Sequence, residues 1–342
     1  MKTRSILFDK PLHAVVQEAD FSDDSPDDDE LIVKNLYSLV SAGTELAIYR
    51  GAESWAPLPY VPGYASVGEV LSVGRNVDGM GKGDLVFTCS GHREHARVKF
   101  GATTIRLPKD GDLTRMIFSR MAAVSITAPR VSPPELGDWV AIFGLGVVGN
   151  LAGQLFALGG ARVIGIDPCP QRRKTALQCG FEKVLDSDPG TLVEEIKGWT
   201  NNQGVETAVE ATGIPSMVGK IFPVMKSRGE IVLLGSPRGE CQGDMTDLLN
   251  HVHLWPHGCI TLKGAHEWRF PLKGVDGCKH SIQRNYGILF DLITRDKLKT
   301  QPLVSHVVSP FEAQNVYAAL NDRKDGYLGV LFDWDNLGCV EN

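Results

Sequence analysis

The sequence lacks the features that place a chain in a membrane or on a polyanion. Its longest apolar runs, such as residues 140–148, fall well short of the roughly 20 residues needed to cross a bilayer. The first residues lack the long apolar core of a signal peptide. No block of lysine or arginine stands out, and the formal net charge is -6. This argues against nucleic acid or an anionic membrane as a main partner, and favours a cytoplasmic protein that acts on a small molecule.

The cysteines also lack the spacing of a metal site or a disulfide framework. The chain has an odd number of cysteines, and no two of them form a CxxC pair: Cys89, Cys169, Cys179, Cys241, Cys259, Cys278 and Cys339. This excludes a zinc ribbon and gives no sign of a disulfide framework, so reduced thiols are expected. His251, His253 and His257 are two and four residues apart, a spacing that fits no usual zinc pattern.

The first part of the chain, to about residue 120, is typical of short strands separated by turns. Its β-rich segments are residues 67–73, 84–88 and 96–100, and nothing there has a sustained helical period. A helix-like stretch follows at residues 113–131. With 342 residues and 43% hydrophobic composition, the chain is long enough for two globular domains.

From Trp139 onward, strands alternate with helices. Buried-strand runs occur at residues 139–143, 162–166, 184–185, 207–210, 230–234 and 260–263. Helical patterns fill residues 147–158 and 171–179, and the tail holds one clear helix at 288–294 and a last strand at 329–332. The alternation predicts parallel βαβ units, and so an α/β fold with a doubly wound sheet.

The strongest local motif joins the first of these strands to the first helix. It is a GxGxxG loop whose residues are Gly144, Leu145, Gly146, Val147, Val148 and Gly149. The first glycine permits the tight turn, the second lets backbone approach a pyrophosphate, and the third lets helix and strand pack closely. The helix N-terminus favours the negative charge of the phosphates. The motif predicts a Rossmann dinucleotide site.

The next strand ends in Asp167, which lies 18 residues beyond Gly149. Its carboxylate can accept hydrogen bonds from the adenosine ribose and would repel a 2′-phosphate, so NAD is expected in preference to NADP. Arg172 and Arg173 weaken that expectation, because guanidinium groups can bind phosphate.

A series of motifs in a fixed order resembles the medium-chain dehydrogenase/reductase superfamily over nearly the whole chain. Besides the glycine loop, they are residues 42–46 (AGTEL), 62–64 (PGY), 68–70 (GEV), 83–86 (GDLV), 210–213 (EATG), 234–235 (LG) and 263–265 (KGA). The resemblance implies a GroES-like β-barrel catalytic domain and a Rossmann domain, with boundaries expected at 1–124, 125–267 and 268–342. The last segment returns to the catalytic domain. It also implies a homodimer or homotetramer, paired through the strand at residues 260–263.

The resemblance extends the cofactor site beyond the glycine loop. Members of the superfamily bind the dinucleotide between the two domains. In this chain the matching positions are Thr127, Ala211, Thr212, Gly235, Gly264 and Ala265.

The metal ligands of the zinc-containing relatives are missing. Ser41 or Ala42 stands at the position of the first ligand, Tyr64 at the second and Ala123 at the third. Catalytic zinc needs three protein ligands from Cys, His or carboxylate, and none of these positions supplies one. Cys89 stands alone where relatives carry a structural four-cysteine lobe. We therefore expect neither catalytic nor structural zinc. The pattern resembles a zinc-less branch that includes bacteriochlorophyllide hydroxyethyl dehydrogenases.

Without a metal, hydrogen-bond donors must stabilise the developing negative charge on the substrate oxygen and supply a proton. Thr44 occupies the position of the relay hydroxyl of the superfamily, and Tyr64 has a phenol that can donate, or it merely fills the former metal site. The resemblance places His92 and His95 near the substrate mouth, where either could carry a proton. Glu45 is a further candidate, or it bonds structural groups. His266, Glu267 and Arg93 are the expected substrate contacts.

Three functions remain open. The first is an NAD-dependent dehydrogenase that interconverts a secondary alcohol and a ketone on a polar substrate such as a sugar, a cyclitol or a natural product. The second is an NADPH-dependent quinone or enoyl reductase of the same fold. The third is a non-catalytic cofactor-binding scaffold or sensor.

Overall fold

A computed structural model describes residues 1–186, 188–322 and 326–337 of the chain. The first third of the chain is mostly strand. Its elements are β1 (Lys2–Lys10), β2 (His13–Asp20), β3 (Glu30–Leu39), α1 (Ala42–Tyr49), β4 (Ser66–Val73), β5 (Leu85–Thr88), β6 (His95–Lys99) and β7 (Ile105–Arg106). Three short helices follow, α2 (Leu113–Met116), α3 (Ser119–Ser125) and α4 (Thr127–Val131).

The middle of the chain alternates strand and helix, as its sequence predicts. Its elements are β8 (Trp139–Phe143), α5 (Val147–Leu158), β9 (Arg162–Ile166), α6 (Pro170–Gln178), β10 (Lys183–Leu185), α7 (Pro189–Trp199), β11 (Val205–Glu210), α8 (Met217–Ile221), β12 (Met225–Leu233), α9 (Met245–His253) and β13 (Thr261–Gly264). The strands form one sheet in the order β10-β9-β8-β11-β12-β13, and every pairing is parallel. This is the doubly wound order, in which the strand sequence reverses beside β8 and leaves a crevice for a ligand.

The chain then returns to its first sheet. Its remaining elements are α10 (Ile282–Thr294), β14 (Val304–Val308), α11 (Ala313–Asn321) and β15 (Gly329–Asp333). Strand β15 pairs antiparallel with β3 and parallel with β14, so the sheet runs β14-β15-β3-β4-β5-β7, with β6 also paired to β3. The α/β fold class, a GroES-like domain plus a doubly wound Rossmann domain, is confirmed. The domain boundaries at 124/125 and 267/268 stay a prediction.

A shared core fixes the two sheets relative to one another. Helix α3 packs between α5 of the parallel-sheet layer and α10 of the C-terminal segment. Met121, Leu151, Tyr286 and Leu331 belong to this one buried cluster, although they come from four separate elements. Each large apolar side chain removed from water contributes about 1.5–3 kcal/mol. The crevice beside these helices is therefore held by packing on both sides.

Several helices differ from the sequence-based expectation. Helix α1 falls where the sequence shows no helical period, because its buried residues Glu45, Ala47, Ile48 and Tyr49 include an acid and do not form one apolar stripe. The stretch 113–131 is three short helices instead of one. Helix α10 begins six residues before the predicted start, where the Ser281 side chain accepts from the Arg284 N–H and caps it. In the part of the chain that the structure describes, no helix is long and apolar enough to span a membrane.

Candidate active site

One large cavity of about 1330 Å³ lies between the two sheets. Residues of both domains line it. On the side of α1 and α3 they include Ser41, Thr44, Tyr64, Cys89 and Arg120; on the side of the parallel sheet they include Gly146, Val147, Val148, Gly149, Arg172, Ala211, Thr212, Gly235, Ala265, His266 and Glu267. The cavity thus brings most of the predicted cofactor residues together with Thr44 and Tyr64.

The glycine loop has the geometry that its sequence predicts. Gly144 has φ +94°, a left-handed conformation that a residue with a side chain adopts only with strain. A Cβ on Gly149 would lie 1.9 Å from the Gly144 carbonyl oxygen, so helix α5 can approach β8 only with glycine there. A Cβ on Gly146 would meet nothing within 4 Å, and Gly146 lines the cavity. The backbone at Gly146 is therefore open to a ligand at the N-terminus of α5, where a phosphate is favoured.

Asp167 lies at the end of β9 beside this loop, and is 3% exposed. Its carboxylate accepts hydrogen bonds from the Leu145 N–H at 2.8 Å and the Cys169 N–H at 2.9 Å. The Arg172 Nη1 is 3.6 Å from that carboxylate, and Arg172 also lines the cavity with its buried Nε unpartnered among the described residues. Arg173 instead donates to the Asp167 and Pro168 carbonyls and to Asp186. Of the two arginines, only Arg172 lines the cavity.

Other predicted cofactor residues surround the loop that follows β11. The Glu210 carboxylate accepts from the N–H groups of Thr212, at 2.7 Å, and Gly213, at 3.1 Å, which holds this loop at the end of the strand. Burial raises the pKa of Glu210. A Cβ on Gly235 would lie 2.4 Å from the Gly213 nitrogen, so the two loops touch only because position 235 is glycine.

Some predicted cofactor residues lie outside the residues that line the cavity. Gly144, Leu145 and Asp167 are not among the lining residues, although the Asp167 carboxylate is 3.6 Å from the Nη1 of Arg172, which does line the cavity. Thr127 is buried in α4, with its hydroxyl unpartnered in the described structure, and Gly264 is exposed at the end of β13. The roles of all these residues stay predictions.

Tyr64 and its two hydroxyl neighbours form the polar wall opposite the glycine loop. The Tyr64 hydroxyl forms a hydrogen bond with the Ser41 hydroxyl, and the Thr44 side chain lies near it in the lining of the same cavity. Burial raises the pKa of Tyr64. The phenol therefore stays protonated at neutral pH and is a donor, and the chain Tyr64–Thr44 can pass a proton.

His92 does not lie at a substrate mouth, so its predicted placement is wrong, and Glu45 bonds structural groups, which is the second of the two alternatives stated for it. Both are fully buried, and neither lines the cavity. The Glu45 carboxylate is 3.0 Å from the His92 Nε2, and it accepts from the Tyr317 hydroxyl at 2.6 Å and the Ser41 N–H at 2.8 Å. The His92 Nδ1 bonds Ser38 at 2.8 Å. This buried network ties α1 to β3 and α11, so it holds the backbone that carries Thr44.

His95 and Arg93 also lie away from the cavity, which corrects their predicted placement. The His95 Nδ1 is 3.2 Å from the Thr3 hydroxyl, and its ring packs near Phe21. Burial lowers the pKa of His95. Arg93 forms an isolated β-bridge with Ser5 and does not line the cavity. Strands β1 and β2, which cover this face of the sheet, are the reason that neither side chain reaches a substrate.

Arg120 and Tyr286 are among the cavity residues that sequence reasoning missed. Arg120 extends from α3 and is 7% exposed; its Nη1 and Nη2 donate to the two oxygens of Glu267 at 2.7 and 2.8 Å. Its guanidinium carbon lies 4.8 Å from the centre of the Tyr64 ring. Tyr286 of α10 also lines the cavity. The sequence offers one indication of Arg120, which is its spacing from Ala123. Arg120 precedes Ala123 by three residues, so the two lie on the same face of the helix, and the resemblance equates Ala123 with a zinc ligand.

The donor set at the three former metal positions does not fit zinc. The side chains there are the hydroxyls of Ser41 and Tyr64 and the methyl of Ala123, none of which is a usual zinc ligand. Among the described residues, no group of three His, Cys, Asp or Glu side chains could hold a metal ion. His251 stacks on Phe222 and bonds the His257 carbonyl at 3.0 Å, which accounts for that histidine otherwise. Cys339 lies outside the described residues.

Comparison with known proteins identifies related chains for both halves of the molecule. Residues 27–118 match the family described as "Alcohol dehydrogenase GroES-like domain", and residues 147–269 match "Zinc-binding dehydrogenase". An "Uncharacterized zinc-type alcohol dehydrogenase-like protein" of Haemophilus influenzae is 22% identical, over 96% of this chain and 98% of that protein. An L-threonine 3-dehydrogenase of Shewanella frigidimarina is 25% identical, over 90% of this chain and 92% of the enzyme. A protein of Sinorhizobium meliloti, whose crystal structure has NADP bound, shares the fold with a TM-score of 0.80 and 21% identity, over 97% of this chain and 99% of that one.

Proposed function

Because the chain belongs to the medium-chain dehydrogenase/reductase superfamily, we propose that it interconverts a secondary alcohol and a ketone with NAD(H) and without catalytic zinc. The observation that supports this proposal best is that one cavity joins the glycine loop to the Tyr64–Thr44 hydroxyl pair. A dinucleotide site and a proton donor therefore face the same space. That is the minimum arrangement for a dehydrogenase.

The residues present fit a nicotinamide dinucleotide. The open backbone at Gly146 and the N-terminus of α5 suit the pyrophosphate. Asp167, whose carboxylate is 3.6 Å from the lining residue Arg172, suits the adenosine ribose, and Ala265 in the cavity lining suits the nicotinamide side. When bound, the dinucleotide supplies or accepts the hydride, so that a ketone, one hydride and one proton give the alcohol. We propose NAD as the preferred form because the Asp167 carboxylate would repel a 2′-phosphate.

The protein groups supply the proton and hold the substrate oxygen. In the direction of reduction, the Tyr64 hydroxyl donates its proton to the oxygen of the substrate, and Thr44 relays a proton back to Tyr64. In the direction of oxidation the same atoms carry the proton away. The donor set at the former zinc positions supports chemistry without a metal, because Ser41, Tyr64 and Ala123 cannot replace a Cys and His ligand set.

A polar substrate is the class that the lining favours. His266, Glu267 and Arg120 all line the cavity. His266 and the N–H groups of Arg120 that Glu267 does not use can bind substrate hydroxyls, whereas a purely hydrocarbon substrate would make no hydrogen bond to the buried N–H groups of Arg120. Sugars, cyclitols and hydroxylated natural products meet this requirement.

The decisive experiment uses chelator-treated, dialysed protein. Binding of NADH and NADPH is measured by fluorescence, and turnover is then screened with NAD and NADP against sugars, cyclitols and secondary alcohols. We expect tighter binding of NADH and turnover that survives the chelator. Turnover that disappears with chelator and returns with zinc would contradict the metal-free proposal.

Two other outcomes point to the alternatives. Preference for NADPH, with reduction of quinones or enones but not ketones, would favour the C=C or quinone reductase; the unpartnered Arg172 Nε in the cavity is the observation that keeps this candidate. Tight NADH binding with no turnover of any substrate class would favour a scaffold or sensor.

A further inference from the structure

One permanent positive charge lies beside the former metal position. Arg120 is on α3, one helical turn before Ala123, and its guanidinium carbon is 4.8 Å from the centre of the Tyr64 ring. Ala123 and Tyr64 stand at two of the three vacated ligand positions. Arg120 is also a lining residue of the cavity. A buried cation thus lies beside positions that the family resemblance equates with zinc ligands.

We propose that the Arg120 guanidinium, oriented by Glu267, takes over the electrophilic role of the missing metal and stabilises the negative charge that develops on the substrate oxygen. This inference rests on the proposed dehydrogenase function and assigns the charge-stabilising group within it. Tyr64 remains the proton donor, and Arg120 polarises the same oxygen.

The ion pair with Glu267 fixes the guanidinium without using all of its donors. Guanidinium has five N–H groups, and the two contacts to Glu267 at 2.7 and 2.8 Å use one on each terminal nitrogen. The second N–H of each terminal nitrogen has no hydrogen-bond partner among the described residues and remains for an oxygen, and the bidentate carboxylate fixes the direction of these donors before a substrate binds.

The Arg120–Glu267 pair has no net charge, but this does not prevent Arg120 from polarising a substrate oxygen. A Cys₂His zinc site, with a divalent ion and two thiolates, is also neutral overall. A substrate carbonyl is polarised by the charge that lies nearest to its oxygen, and this effect is stronger where water is excluded. Arg120 and Glu267 are 7% exposed each, so their field is weakly screened.

The titratable groups around Arg120 are consistent with a cation that stays charged. Burial acts to lower the pKa of Arg120, but Tyr286 and Cys89, which ionise only at high pH, and the ion pair with Glu267 together raise that pKa overall. Burial raises the pKa of Cys89 and of Tyr286, and the positive charge of Arg120 opposes it in both. At neutral pH these neighbours are neutral, so they leave the charge of Arg120 available to a substrate.

The test needs a variant that removes the cation without leaving a buried, unpaired carboxylate. The double variant Arg120→Met, Glu267→Gln removes both charges, and Arg120→Lys keeps a positive charge without the planar fork. The matched control is Arg115→Met, because Arg115 pairs with Asp296 and does not line the cavity. A thermal unfolding curve for each variant checks that it folds.

The first readout does not depend on turnover. Isobutyramide has a carbonyl that accepts the same hydrogen bonds as a ketone but cannot be reduced by hydride under these conditions, and its binding to the NADH complex is followed by NADH fluorescence. We expect the double variant to bind NADH as the unmodified protein does, and to bind isobutyramide at least about tenfold more weakly, the loss of hydrogen bonds to a charged donor. The control should match the unmodified protein.

The second readout is turnover of the substrate found in the panel. We expect kcat of the double variant to fall by about 100-fold or more, the effect of removing one charge-stabilising donor, with partial recovery in Arg120→Lys. Equal amide binding and kcat in the folded double variant and the control would overturn the role of Arg120 while leaving the dehydrogenase intact. Unmodified protein that binds NADH but neither isobutyramide nor any panel substrate would overturn the proposed function itself.

Discussion

At the scale of single residues, the proposed chemistry depends on whether the Tyr64 hydroxyl donates a proton to the substrate or the Tyr64 ring only fills space in the cavity. Its hydroxyl bonds the Ser41 hydroxyl, and the Thr44 hydroxyl lies in the same cavity. Because burial raises its pKa, Tyr64 should remain a neutral donor up to at least the ordinary pKa of a phenol, about 10.

We predict that Tyr64→Phe lowers the rate of ketone reduction by about 10² to 10⁴-fold, the usual contribution of a positioned general acid. Thr44→Val should cause a smaller loss, because it interrupts the relay but leaves the donor. The dissociation constant of NADH should not change in either variant. Tyr37→Phe is the control, since Tyr37 lies outside the cavity lining. Full activity of Tyr64→Phe would show that the ring only fills the space of the former metal.

Cofactor choice is also decided by single side chains. Asp167 and Arg172 lie 3.6 Å apart and favour opposite forms, because the carboxylate repels a 2′-phosphate and the guanidinium attracts it. We predict that Asp167→Asn reduces the preference for NADH over NADPH by about tenfold, close to one charge interaction of about 1.4 kcal/mol. Arg172→Met should weaken NADPH binding more than NADH binding. Both are measured by fluorescence titration, and an unchanged ratio in both variants would exclude this pair as the determinant.

At the scale of elements, strand β6 and the β1–β2 hairpin meet around His95. Burial lowers the pKa of His95, so the unfolded chain binds a proton more readily than the folded one. Stability from this site is complete above the ordinary histidine pKa of about 6.5 and is lost as pH falls below it. We predict that His95→Gln makes the free energy of unfolding less dependent on pH on the acid side of 6.5. Urea unfolding at a series of pH values measures this, with His253→Gln at the exposed end of α9 as the control.

The elements that sequence predicts well are those with a strong local period. The buried run of β8 and the glycine turn into α5 are local signals, so this strand, this turn and the start of this helix can be predicted from the amino-acid sequence alone. Helix α1 cannot be predicted from the sequence, because its buried acid Glu45 is explained only by His92 and Tyr317, which come from distant parts of the chain. The sequence does not identify Arg120 for the same reason, because only the fold brings Glu267 to it across 147 residues of sequence.

At the scale of the whole molecule, the exposed end of the parallel sheet is the face that a second copy would cover. Among the described strands, β13 is the last in its sheet, and its outer edge carries no further strand. Helix α9 has no buried residue, and apolar side chains there and just after it are exposed: Met245 by 64%, Leu249 by 55% and Trp255 by 60%. An exposed strand edge beside an apolar patch is a surface that soluble proteins usually cover. We propose that the chain forms at least a homodimer through this face.

The dimer makes a prediction that is independent of catalysis. Adding charge at the edge with Leu262→Glu, or on the patch with Trp255→Glu, should shift the protein toward monomer, because like charges would face each other across a two-fold interface. Sedimentation velocity or light scattering measures the mass. Leu136→Glu is the matched control, since Leu136 is 91% exposed in the turn before β8 and away from this face.

The cavity is lined by residues of one chain, so a monomeric variant should still bind NADH. Unmodified protein that is monomeric at every concentration tested would refute the dimer, and loss of NADH binding on dissociation would mean that the second copy shapes the cofactor site.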